Sequence, residues 1–150
     1  MISEASYTRY QRNRSKAWLI GLANGAGKLL TSSAFLIVDD EPLARMELAQ
    51  VVRDCGYEPW EAANSEEALS ILEASGHAFA GLITDINMPG LRTGIFLAKH
   101  VRSTWPHIEI IVVSGAGVPL EEGLPDRIEI LIKPVLPSRL IEAIKGSVQT

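Results

Sequence analysis

The chain has 150 residues, 47% hydrophobic and 21% charged, which suffices for one domain with a single core and is too apolar for a disordered chain. Its one cysteine, Cys55, excludes an intrachain disulfide framework and a thiolate zinc cluster and fits a reducing, cytoplasmic compartment. The net charge of −4 is unevenly placed: residues 1–33 carry five basic side chains against Glu4 (5 − 1 = +4), and the remainder carries nine basic against 17 acidic ones (9 − 17 = −8). This shift divides the chain into a basic N-terminal extension, residues 1–33, helical or flexible, and an acidic body, residues 34–150. Phosphate backbones need Lys and Arg, so the acidic body is not expected to bind nucleic acid. No run of about 18 apolar residues is present, so no membrane insertion is expected.

Within the extension, Gly21 to Leu29 imitates a phosphate-binding loop but has the wrong spacing, with Leu29 where Ser or Thr is needed. The basic stretch followed by Ala17 to Leu30 also imitates a signal peptide, yet Asn24 and Lys28 interrupt its apolar region. Trp18, Leu19 and Leu22 are the side chains with which the extension would pack on a domain.

From Ala34 onward, short apolar runs alternate with amphipathic stretches. Ala34 to Val38 is a continuous apolar run, as expected of a parallel strand buried on both faces. Pro42 to Cys55 has Leu43, Met46, Leu48, Ala49 and Val52 at helical spacing and is closed by Gly56. A second strand is expected over Tyr57 to Ala62. Asn64 followed by Glu67 is a capping box that opens a second helix, running to Gly76. Ala80 to Thr84 is the expected third strand, Gly94 to Thr104 the third helix, Ile108 to Val113 the fourth strand and Ile128 to Ile132 the fifth. Leu136 to Val148 closes the body as an amphipathic helix. Such alternation means right-handed crossovers and a parallel sheet covered on both sides, an α/β doubly wound fold. Between Gly115 and Asp126, Gly117, Pro119, Gly123 and Pro125 predict a shortened or missing fourth helix. Trp60 and Trp105 are expected near element ends as packing residues and Cys55 as a small buried hydrophobe, while His77, His100 and His107 are too scattered to form a ligand set.

Ligands of an open parallel sheet bind outside the carboxyl ends of its strands. The residues at those ends are Asp39, Asp40 and Glu41 after the first strand, Asp85 after the third, Ser114 after the fourth and Lys133 after the fifth. Clustered carboxylates repel unless a cation neutralises them. Oxygen donors without Cys or His favour a hard ion, and Mg²⁺ with several waters suits an open site. Beside such an ion a carboxylate is a competent nucleophile towards phosphorus.

Together, Val38-Asp39-Asp40-Glu41-Pro42, Thr84-Asp85-Ile86-Asn87-Met88-Pro89-Gly90, Val113-Ser114-Gly115 and Ile132-Lys133-Pro134 resemble the receiver domains of two-component response regulators, in order and in spacing, over about residues 34–148. The resemblance implies a flavodoxin-like sheet in strand order 2-1-3-4-5. It implies that Asp85 is the phosphoacceptor and that Mg²⁺ is held by Asp40, Asp85 and the backbone carbonyl of Asn87, with Asp39 acting largely through water. Ser114 would hydrogen-bond the phosphoryl group and Lys133 would pair with it. The Lys133–Pro134 bond would be cis, Pro89-Gly90 would form a tight turn, and Gly94 would permit close approach of the third helix. The partners implied are a sensor histidine kinase or histidine phosphotransfer protein as donor and an unknown downstream protein. The chain would be a stand-alone receiver, not an enzyme with a separate substrate; the alternative is the same module cut from a hybrid histidine kinase.

Two departures stand out. Receivers usually carry an aromatic residue three positions before the lysine, where this chain has Ile130, and the fourth connection is short. Both predict signal relay through loop ordering around Ser114. Two other classes compete on the same kind of sheet. An Mg²⁺-dependent phosphohydrolase needs a second Asp two residues after the nucleophile, where Asn87 stands. A flavin-binding module needs a Ser/Thr-rich loop where this chain has carboxylates.

Overall fold

The computed structural model describes residues 34–88, 93–115 and 124–148. The extension 1–33, the Pro89-Gly90 turn and residues 116–123, where the shortened fourth helix was expected, lie outside the described residues. Five strands, β1 (Ala34–Val38), β2 (Glu58–Ala62), β3 (Phe79–Asp85), β4 (Glu109–Ser114) and β5 (Ile128–Ile132), form one sheet in the order β2-β1-β3-β4-β5. Every pairing is parallel. Four α-helices are present among the described residues: α1 (Pro42–Asp54), α2 (Ser65–Ser75), α3 (Gly94–Thr104) and α4 (Pro137–Val148), with one 3₁₀ turn at Gly76–Ala78. This is the flavodoxin-like order expected from the resemblance.

The apolar runs become strands because a parallel sheet buries both faces. Every residue of β1 and β3 is buried, as is β4 after Glu109. Alternate residues feed two cores. Leu36, Trp60, Leu82 and Ile110 face one side, with Ile71, Leu72, Leu97 and Val101 of α2 and α3. Phe35, Ile37, Ile83 and Ile111 face the other, with Leu48, Val52, Leu140 and Ile144 of α1 and α4. Each such Leu or Ile contributes about 2 kcal/mol relative to an exposed one.

Local signals set the element ends. Pro42 begins α1 where its missing N–H costs nothing, and Gly56 leaves that helix at φ 90°. The Asn64 side chain accepts from the Glu67 N–H at 2.8 Å, and Thr93 Oγ1 accepts from the Phe96 N–H at 3.3 Å, capping α2 and α3.

Three expectations need correction. β2, β3 and β4 begin or end a residue away from the expected limits, so Asp85 and Ser114 are the last strand residues rather than the first beyond them. Trp60 lies in the middle of β2, fully buried and edge-on to Phe79 at 4.9 Å. Cys55 is only half-buried. β5 lies at the sheet edge, as the expected order places it, with Ile130 37% and Ile132 50% exposed.

Candidate functional site

Register builds the site. Val38 of β1 pairs with Thr84 of β3, so the next residues along, Asp39 and Asp85, emerge side by side. Ser114 pairs with Ile132, and the Lys133 N–H donates to the Ser114 carbonyl at 2.8 Å, so Lys133 leaves β5 at the same edge. The Lys133–Pro134 peptide bond is cis.

Asp39 and Asp85 are buried, 2% and 4% exposed, while Asp40 faces solvent. One carboxylate oxygen from each of the three lies within 4.8 Å of the others. The Lys133 ammonium donates to Asp85 Oδ2 at 2.7 Å and stands 4.0 Å from Asp39 Oδ2. Two backbone N–H groups complete the frame: that of Asn87 donates to Asp85 Oδ1 at 3.0 Å, and that of Glu41 donates to Asp39 Oδ1 at 2.9 Å. Ser114 is fully buried and joins the site through its backbone; its hydroxyl donates to the Gly115 carbonyl at 3.3 Å.

The electrostatics follow from this crowding. Burial raises the Asp39 pKa above 3.8, the neighbouring Asp85 and Asp40 charges add to the rise, and the Glu41 N–H and Lys133 oppose it. Burial works against the Lys133 charge, but the hydrogen bond to Asp85 and the fields of Asp85, Asp39 and Glu41 win, raising its pKa above 10.5. The donor set is all oxygen, partly open to solvent through Asp40, and carries more negative charge than one lysine offsets. These residues fit a hard divalent cation that keeps some of its waters.

α3 can approach the site because its first residue is Gly94. A Cβ there would collide with the Asp85 carbonyl and the Ile86 backbone. The Gly94 N–H donates to the Ile86 carbonyl at 3.1 Å.

One residue of the frame has no warning in the strand-end pattern. Arg45, one turn into α1 and 6% exposed, donates from Nη1 to the Asp39 carbonyl at 2.7 Å and from Nε to Glu61 at 3.2 Å. It ties the end of β1 to β2 beneath the carboxylates. The available signal was its place beside Leu48 and Ala49 on the inward stripe of α1. The Asn87 N–H was likewise missed, since a backbone donor has no residue type to mark it.

Residues 35–145 match the family model of the response regulator receiver domain. The chain is 37% identical to the sensor kinase CckA of Brucella abortus over 90 residues, which are 60% of this chain and 9% of that protein. It is 34% identical to the chemotaxis protein CheY of Thermotoga maritima over 114 residues, 73% of this chain and 92% of that one. Among solved structures, a response regulator receiver protein from Sinorhizobium medicae superposes with a TM-score of 0.72 at 27% identity, covering 81% of this chain and 98% of the other. The chain thus spans a small fraction of the kinase and nearly the whole of the chemotaxis protein. With the strand order, the acidic cluster and these matches in agreement, the chain belongs to the response regulator receiver domain family.

Proposed function

We propose that this chain works in the cytoplasm as a phosphoacceptor, with Asp85 taking a phosphoryl group from a sensor histidine kinase or a histidine phosphotransfer protein. The observation that supports this best is Asp85 itself. It is a buried carboxylate at the tip of a central strand, bonded to Lys133 at 2.7 Å and within reach of Asp39 and Asp40.

In the reaction, an Asp85 carboxylate oxygen forms a bond to phosphorus as the phosphorus–nitrogen bond of the phosphohistidine breaks. The electron pair of that bond returns to the imidazole, which takes up a proton. Asp39, Asp40, Asp85 and the Asn87 carbonyl would hold Mg²⁺, which when bound supplies positive charge to the phosphoryl oxygens. Lys133 moves from the Asp85 carboxylate to a phosphoryl oxygen and keeps its charge throughout. Ser114 turns its hydroxyl from the Gly115 carbonyl to a second phosphoryl oxygen. The Asn87 N–H holds Asp85 in one rotamer during attack. The chain turns over no separate substrate; output is protein–protein contact with a downstream partner or onward transfer of the phosphoryl group.

A second reading, that this module belongs to a hybrid histidine kinase, is favoured by the likeness to CckA, of which the matched stretch is 9%. Incubation with acetyl phosphate and Mg²⁺, followed by intact-mass measurement, tests the assignment. Wild type is expected to gain one phosphoryl group, and Asp85→Asn or chelator-treated protein is expected to gain none. A full-level adduct on Asp85→Asn would overturn the reading.

A further inference from the structure

A groove of about 880 Å³ runs between α1 and α4. Its floor is apolar, built from Ala44 and Val51 of α1, Val135 and Pro137, over the buried Leu48 and Leu140. Its rim is acidic: Glu41, Glu47 and Asp54 line it and are solvent-exposed. Lys133, the one basic side chain in the lining among the described residues, is already engaged by Asp85. An apolar floor with an acidic rim suits a segment that carries apolar anchors flanked by cations.

We propose that the occupant is the chain's own N-terminal extension, with Trp18, Leu19 and Leu22 seated on the floor and Arg12, Arg14 and Lys16 against the rim. Composition gives the first argument. The extension has a net charge of +4 within 33 residues and places its tryptophan directly after its basic cluster, whereas the body it adjoins carries −8.

Connectivity gives the second. The extension enters the sheet at Ala34, which pairs with Glu58, four residues beyond Asp54 at the end of α1 (58 − 54 = 4). It therefore leaves the body at the Asp54 end of the groove. Residues 23–33, 11 in number (33 − 22 = 11), can span up to about 36 Å. The 13 residues of α1 are only about 20 Å long. The tether reaches every part of the groove and holds the anchors at an effective concentration in the millimolar range.

The groove also includes Asp39 and Lys133 at its far end, so a seated extension lies against the carboxylate site. Whatever changes the charge there changes the occupancy of the groove, and the reverse holds by linkage. The docking itself does not depend on phosphoryl transfer, and its test requires none.

The test is amide NMR and hydrogen exchange on the full chain. Three proteins are compared: wild type, Trp18→Ala/Leu22→Ala, and Glu47→Lys/Asp54→Lys. In the first double variant, shifts are expected at Leu48, Val51 and Leu140 and not at Ile71 or Leu97 on the opposite face. The Trp18 indole proton is expected to exchange about tenfold more slowly in wild type than in the charge-reversed protein, equivalent to about 1.4 kcal/mol. Amides of β1 and β3 verify that each variant is folded. Shifts elsewhere, or an indole proton unaffected by the charge reversal, would overturn the proposal. So would groove shifts that disappear on dilution together with a fall in hydrodynamic mass, since the occupant would then be a second copy.

Discussion

The Lys133 ammonium is bonded to the Asp85 carboxylate at 2.7 Å although 48 residues separate them. The same nitrogen stands 4.0 Å from Asp39, so one cation faces the tips of β1 and β3 from the end of β5. If that cation stabilises a phosphoryl group in transit, Lys133→Ala should slow acyl-phosphate formation on the order of a hundredfold, as loss of a preorganised donor does. Lys133→Arg should recover part of the rate, since it keeps the charge and changes the geometry. Initial rates with acetyl phosphate at saturating Mg²⁺ measure this; an unchanged rate in Lys133→Ala removes the lysine from the mechanism.

Asp39 makes a separate prediction about stability and pH. Burial, followed by the Asp85 and Asp40 charges, raises its folded pKa above 3.8, against the Glu41 N–H and Lys133. As pH rises through 3.8 the unfolded chain releases this proton first. The folded state then binds more protons, and stability falls until the pH passes the folded pKa. At neutral pH without metal the whole penalty is present. Asp39→Asn should therefore raise the metal-free Tm by roughly 2–4 °C, the response to about 1 kcal/mol in a domain of this size. Mg²⁺ should raise the wild-type Tm more than the variant's. Calorimetry in chelator and in Mg²⁺ checks both; a lower metal-free Tm in the variant contradicts the argument.

Gly94 and Gly146 form a matched pair. A Cβ at Gly94 would strike the Asp85 carbonyl, which is backbone and cannot swing aside, whereas a Cβ at Gly146 would meet nothing within 4 Å. Gly94→Ala should destabilise by roughly 1–3 kcal/mol and displace Asp85 from its partners. Gly146→Ala, within α4, should stabilise by roughly 0.5–1 kcal/mol. Urea melts of the two variants are expected to move in opposite directions.

Arg45 should matter more than its place on a helix suggests. Arg45→Met keeps the apolar stem but leaves the Asp39 carbonyl and Glu61 without their shared donor, at a cost of about 2 kcal/mol. Arg45→Lys should recover only part, because one ammonium cannot reproduce the fork that reaches both acceptors. A variant as stable as wild type by denaturant titration would show that the bridge contributes nothing.

The sheet was legible because its central strands are apolar throughout, a pattern that amphipathic helices do not share. The carboxylates and the lysine were legible because each directly follows such a run, and parallel strands bring those ends together. Arg45 was not, because a helical arginine is ordinarily solvated and only the tertiary fold supplies its two acceptors. The exposure of Ile130 and Ile132 was not legible either: an IEILI run looks the same whether one face or two are covered. Nor was the depth of Trp60: the strand was expected, but EPWEA carries too little apolar character to mark its tryptophan as fully buried.

The position of β5 at the sheet edge has a consequence for solubility. From Ile110 to Ser114 every residue of β4 is buried, and β5 alone satisfies the backbone groups along its outer side. β5 bears the solvent-facing Glu129 and is itself largely exposed, so it acts as a guard strand in front of an edge that would otherwise template aggregation. A protein cleaved or loosened ahead of Ile128 thus loses Lys133 and its protection against self-association in the same event, and its first symptom would be precipitation.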